Sequence, residues 1–118
     1  MVMATAKATE WETVSEGART NVQFDNIGDK LIGVFAGTQS VTDEAKGETW
    51  DQYLFNECEY PEDIAGENVA VNAGYDLRRA LDQIEPFKFL VSVEYVRNIP
   101  MATQPAPMKG FRVLRKAL

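Results

Sequence analysis

The sequence predicts an all-β domain with one helix, and three observations carry that prediction. Most apolar residues recur with a period of two, in runs bounded by Gly, Pro, Asn and Asp, as strands require. One stretch breaks the pattern: Tyr75, Leu77, Leu81 and Ile84 can share one helical side, with Arg78, Arg79, Asp82 and Gln83 mostly on the other. Finally, 118 residues with 45% hydrophobic content make one domain that can bury a core without cross-links.

The elements follow in order. Residues 1–20 form an N-terminal arm, Ala/Thr-rich as far as Lys7, in which Trp11, Thr13 and Val14 can make a short extended piece. The domain proper is 21–118. Asn21–Phe24 is a short strand ending at the turn-prone Asp25-Asn26. Gly28-Asp29 opens a long strand, Lys30–Ser40, apolar on both faces. Its Gly33 and Gly37 admit the bulge or sharp coiling that a small barrel needs in its first long strand. Val41–Gly47 reads as a polar loop, and Glu48–Cys58 as the second long strand. The latter carries Trp50, Gln52, Leu54 and Asn56 on one face and Asp51, Tyr53, Phe55 and Glu57 on the other, so its inward face is left open. Glu59–Asn68 is an acidic loop. Val69 and Val71 mark a third strand that ends at Asn72-Ala73-Gly74.

The helix comes next and stops at Pro86, which cannot continue it and pushes Glu85 toward extended geometry. A period of two then places Phe87, Phe89, Val91, Val93 and Tyr95 on one face of a fourth strand, and Lys88, Leu90, Ser92 and Glu94 on the other. Asn98–Lys109, with Pro100, Pro105 and Pro107, is a semi-extended loop. Phe111 and Val113 begin a fifth strand, and Arg115–Leu118 is a basic tail. The order β-β-β-α-β-β, with the helix between strands three and four, is that of the OB-fold, a five-stranded, partly open Greek-key barrel. An SH3-like barrel and an α+β sandwich are the alternatives.

Composition narrows the chemistry. The chain has no histidine, which removes the usual general base and most transition-metal sites, and its single cysteine, Cys58, allows no internal disulfide. No Walker loop, dinucleotide fingerprint or Cys/His metal spacing occurs. The expectation is a non-enzyme without metal or cofactor. No run of apolar residues is long enough to span a bilayer. The net charge of −6 is unevenly spread: residues 97–118 hold five basic residues and no acid, whereas Asp43–Glu67 holds nine carboxylates against Lys46 alone. A basic end that meets a polyanion, opposed by an acidic side, is one consequence; plain solubility is the other.

Gly28-Asp29-Lys30-Leu31-Ile32-Gly33-Val34-Phe35, Trp50–Phe55, Gly74–Leu81, Leu90–Tyr95 and Met108–Val113 together resemble a pattern in small bacteriophage proteins of OB-fold, single-stranded-DNA-binding-like type. The resemblance spans Gly28–Val113. The chain departs from it at Glu85-Pro86-Phe87, where a Gly is common, and it lacks a long acidic C-terminal tip. The resemblance implies the OB-fold, a cytoplasmic location in an infected bacterial host, and single-stranded DNA as partner. A phage or host protein is the alternative partner, in a virion component or docking factor, and self-association is left open.

Binding a single strand requires cations for phosphates and flat rings for bases. The candidate rings are Trp50, Tyr53 and Phe35, on the two strands where OB-folds commonly hold ligand. The candidate cations are Lys30, Lys46, Arg97, Lys109 and Arg112. Lys46 lies in the loop between the first two long strands, and Arg97 and Lys109 flank the loop between the last two. In an OB-fold those loops border one cleft. Aromatic residues at alternating strand positions also belong to cores, so burial decides between the two roles.

Overall fold

The period-two runs become strands and the helical stretch becomes a helix in the computed structural model, which describes residues 19–118. The strands are β1 (Thr20–Asn21), β2 (Lys30–Asp43), β3 (Glu48–Tyr60), β4 (Val69–Val71), β5 (Phe89–Ile99) and β6 (Met108–Ala117). A 3-10 turn (Glu62–Ile64) precedes β4, and helix α1 (Tyr75–Leu81) lies between β4 and β5. Trp11, Thr13 and Val14 lie outside the described residues.

All six strands form one sheet in the order β1-β4-β3-β2-β5-β6. β1 runs parallel to β4 and every other pairing is antiparallel. The sheet is open, with six strands where the sequence predicts five. No ladder joins β4 to β6 across the gap that a barrel would close. The segment after β1 stands in that gap instead. Val22 N–H bonds to Ala70 O on β4 at 2.9 Å, and the Phe24 ring meets Phe111 of β6 edge-on at 5.2 Å. Lys109 Nζ donates to Phe24 O at 2.5 Å, and Asp76 of α1 accepts the Phe111 N–H at 3.0 Å. The two sides of the sheet are thus tied through side chains and α1.

The core lies on one face of the sheet. Leu31 and Phe35 of β2, Tyr53 and Phe55 of β3, Val69 and Val71 of β4, and Val91, Val93 and Tyr95 of β5 are buried there. Leu77 and Leu81 of α1 plug it, each fully buried and each contributing roughly 1.5–3 kcal/mol by transfer from water. Gly33 is needed in this layer, because a Cβ there would stand 3.0 Å from Cys58 Sγ and 3.3 Å from Asn56 O.

Two irregularities bend the β2–β3 pair, as the glycines foretell. The register slips between Ile32 and Val34, opposite Glu57 at φ 49°, and again between Phe35 and Thr38, where Gly37 has φ 93°. Beyond the second slip, β2 and β3 continue as a two-stranded ribbon out to Asp43 and Glu48. The predicted Val41–Gly47 loop is therefore only a four-residue turn. Asp43 Oδ1 accepts the amides of Ala45 and Lys46, and Gly47 takes φ 68°. Phe87, predicted on the strand face, instead precedes β5 at φ 65°, with its N–H on Phe35 O and its side chain 64% exposed. No helix among the described residues is long and apolar enough to cross a membrane.

Candidate nucleic-acid interface

Directly opposed residues in a sheet share a face, so the register assigns each side chain to the core side or the outer side. The outer face of β3-β2-β5-β6 is built from three rungs. Lys30, Glu94 and Arg112 make the first. Tyr60, Ile32, Ser92 and Leu114 make the second, and Asn56, Val34, Leu90 and Lys116 the third. Arg97, opposite Gly110, stands one step beyond the first rung, and its Cγ and the Ile99 side chain lie over that glycine, where a Cβ would be only 3.0 Å from Arg97 Cγ.

The middle of this face is apolar and half-buried, at Ile32, Val34 and Leu90, with Leu114 exposed. Its rim holds four cations, Lys30, Arg97, Arg112 and Lys116, against the one carboxylate of Glu94. That carboxylate lies 3.6 Å from Arg112, whose side chain stays 60% exposed. A bridge so open contributes at most about 1 kcal/mol and leaves Arg112 available to another anion.

Tyr60 is the ring on this face. It is 45% exposed, and Lys30 Nζ sits 5.9 Å from its centroid. A groove of about 300 Å³ runs beside it, lined by Tyr60, Pro61, Lys30, Gly28 and Val22 to Phe24. At its floor, Asp29 accepts the amides of Asp25 and Asn26 at 2.9 Å and fixes the turn leading into β2.

The eight residues singled out in the sequence divide into three groups. Lys30, Arg97 and Arg112 share the outer face just described. Phe35 and Tyr53 do not belong to a site: both are 2% exposed and their rings stack on each other at 6.4 Å in the core. Burial, and then the hydrogen bond from Tyr53 Oη to Asp82 at 2.7 Å, push the Tyr53 phenol far above its usual ionisation range. Lys109 is exposed, but its ammonium is engaged on the core side of β6, on Phe24 O and over the Tyr95 ring at 5.4 Å.

Lys46 and Trp50 lie on the ribbon, away from the cations. Trp50 is 36% exposed and its indole N–H bonds to Asn72 at 3.1 Å. It opposes Val41, eleven residues along β2 from Lys30, or roughly 36 Å at strand rise. Asp43, Glu44, Glu48 and Asp51 surround this ribbon tip, which would repel phosphate. The single cleft expected between Lys46 and Arg97 is not formed. β5 and β2 are antiparallel, so the two loops leave from opposite ends of the sheet.

Tyr60 is the addition that the sequence reading did not single out; Lys116 comes from the stretch read there as a basic tail. Among the described residues, no group of three His, Cys, Asp or Glu side chains is placed to hold a metal ion. No family model, curated protein or solved structure matches the chain.

Proposed function

We propose that this chain binds single-stranded DNA without catalysis, across the outer face of β2, β5 and β6. Lys30, Arg97, Arg112 and Lys116 would hold phosphates, and one base would stack on Tyr60 in the groove beside Pro61. One observation carries the reading: a chain of net charge −6 gathers four cations around a face whose rungs carry one carboxylate, Glu94, with Asp29 in the groove beside Tyr60 already holding two backbone amides. Local field rather than net charge governs capture of a polyanion. An apolar floor with one accessible ring and a basic rim suits bases and phosphates together.

The finer fold assignment belongs to this proposal. The connection order of β2, β3, β4, α1, β5 and β6 is that of an OB-like barrel, with the segment Val22–Asp25 standing where β4 and β6 would pair. The resemblance to phage single-strand binders points the same way. The test is titration of labelled oligo-dT at low salt. Tyr60→Ala lowers affinity roughly 5- to 150-fold, the worth of one stacked base, and leaves stability within about 1 kcal/mol. Absence of binding at low salt overturns the proposal.

A second reading, a protein-docking module of a virion or of a factor aimed at a host protein, draws on the acidic β2–β3 ribbon, which is exposed along most of both faces. Shortening the ribbon to a tight turn at Thr38 and Tyr53 separates the two. Oligo-dT affinity is retained if the basic face is the functional surface.

A further inference from the structure

The edge of β6 is built to receive another strand. Among the described residues β6 ends the sheet, and one side of its backbone has no ladder partner there. The Phe111 N–H points to that side, where Asp76 accepts it. Strand alternation sends the amides of Val113, Arg115 and Ala117 the same way, and none of them has a hydrogen-bond partner among the described residues. A groove of about 260 Å³ follows this edge, between Ala80, Gln83 and Ile84 on one side and Val113, Leu114 and Arg115 on the other. Three consecutive strand residues line it, so it runs along the backbone edge rather than over one face. The strand bordering it carries Arg112, Arg115 and Lys116 and no acid.

The same chain offers a complementary strand. β5 pairs with β2 only from Lys30 to Val34, so among the described residues the outer edge of β2 at Gln39–Asp43 has no ladder partner. That open run and the β6 run Val113–Ala117 are each five residues long. The ribbon tip carries Asp43, Glu44, Glu48 and Asp51 against Lys46. Two β6 edges would set like charges against each other, whereas ribbon against β6 pairs opposite charges.

We infer that the acidic ribbon of one copy adds its Gln39–Asp43 edge to the β6 edge of a second copy, extending the sheet between molecules. The contact is head-to-tail, so it propagates into rings or filaments rather than stopping at a symmetric dimer. It uses the backbone edge of β6 rather than the outer face assigned to DNA; Arg112 and Lys116 border both, but the backbone pairing does not depend on the DNA assignment.

Sedimentation velocity of the full chain over a concentration series tests it. At about 50 mM salt the weight-average mass rises with concentration to at least twice the 13.2 kDa of the monomer, and the rise shrinks at about 500 mM. Arg115→Pro deletes one outward amide without touching the β5 ladder and abolishes the rise. Charge reversal gives a second, independent reading. The double change Arg115→Glu, Lys116→Glu alone and the triple change Asp43→Lys, Glu44→Lys, Glu48→Lys alone each stay monomeric, and mixing the two, which brings one intact ribbon to one intact β6 edge, restores association. A wild-type chain that stays monomeric at every concentration at low salt overturns the inference. So does association that persists in a folded Arg115→Pro, or charge-reversed variants that fail to associate when mixed.

Discussion

Phe35→Ala separates a core ring from a binding ring. Phe35 is 2% exposed and contacts two other rings, Tyr53 at 6.4 Å and Phe55 at 5.6 Å. Truncation removes its transfer free energy and leaves a cavity under β2, at a cost of about 3–5 kcal/mol. A domain of this size has roughly 5–15 kcal/mol in all, so the variant keeps only part of its stability. With a urea dependence of about 2 kcal/mol per molar, the unfolding midpoint falls by about 2 M. The assay is urea unfolding followed by far-UV circular dichroism, paired with oligo-dT titration at a temperature where the variant is still folded. Under those conditions its affinity equals that of the wild type. A midpoint within about 0.5 M of wild type, combined with lost binding, would return Phe35 to the site and refute the assignment of faces.

Two further outcomes follow from local geometry. Burial chiefly, and the Glu67 carboxylate secondarily, push the Cys58 thiol up to about 11. A folded value above the unfolded one means this contribution is intact below pH 9 and is lost as pH rises through about 11, an effect of about 2–3 kcal/mol for a thiol that is 2% exposed. Urea midpoints measured from pH 8 to pH 10 fall in wild type, and Cys58→Ala flattens that slope; an unchanged slope contradicts the assignment. Asp76→Ala leaves the Phe111 amide without its acceptor. It costs about 1–2 kcal/mol and speeds exchange of that amide roughly tenfold, measured by hydrogen exchange; unchanged exchange would show that the bond to Asp76 carries no weight.

How much was legible in the sequence depended on how many faces of each element are covered. The helix was plain because Leu77, Leu81 and Ile84 pack inward and Arg78, Arg79 and Gln83 face water. β5 was plain because Val91, Val93 and Tyr95 alternate with Ser92 and Glu94. β3 was not. Gln52 and Leu54 on its outer side are buried as well, with Gln52 hydrogen-bonded to both Asn21 and Asn72, so neither face reads as wet. Phe35 and Tyr53 looked like candidates because alternation names a face without saying which side the core is on.

The ribbon was hidden because a strand pair wetted on both sides loses its alternation, so Val41–Gly47 resembled a loop. Tyr60 was missed for a related reason. The irregularity at Glu57 turns Cys58 inward, and the strand resumes with Tyr60 opposite Ile32 on the outer face. The Glu59-Tyr60-Pro61 run, by contrast, carries turn residues and reads as a loop. That the sheet stays open was beyond the sequence altogether, since it depends on the segment after β1, and not a β4–β6 ladder, lying between those strands.

The salt dependence of oligo-dT binding tests the basic outer face most directly. Four phosphate contacts, from Lys30, Arg97, Arg112 and Lys116, give a slope of log affinity on log salt near −2.8, or about a 50-fold loss between about 50 and 200 mM. The double variant Arg97→Ala, Lys116→Ala halves that slope to about −1.4. A slope left unchanged by the double variant, or wild-type binding that ignores salt, would contradict the placement of DNA on this face.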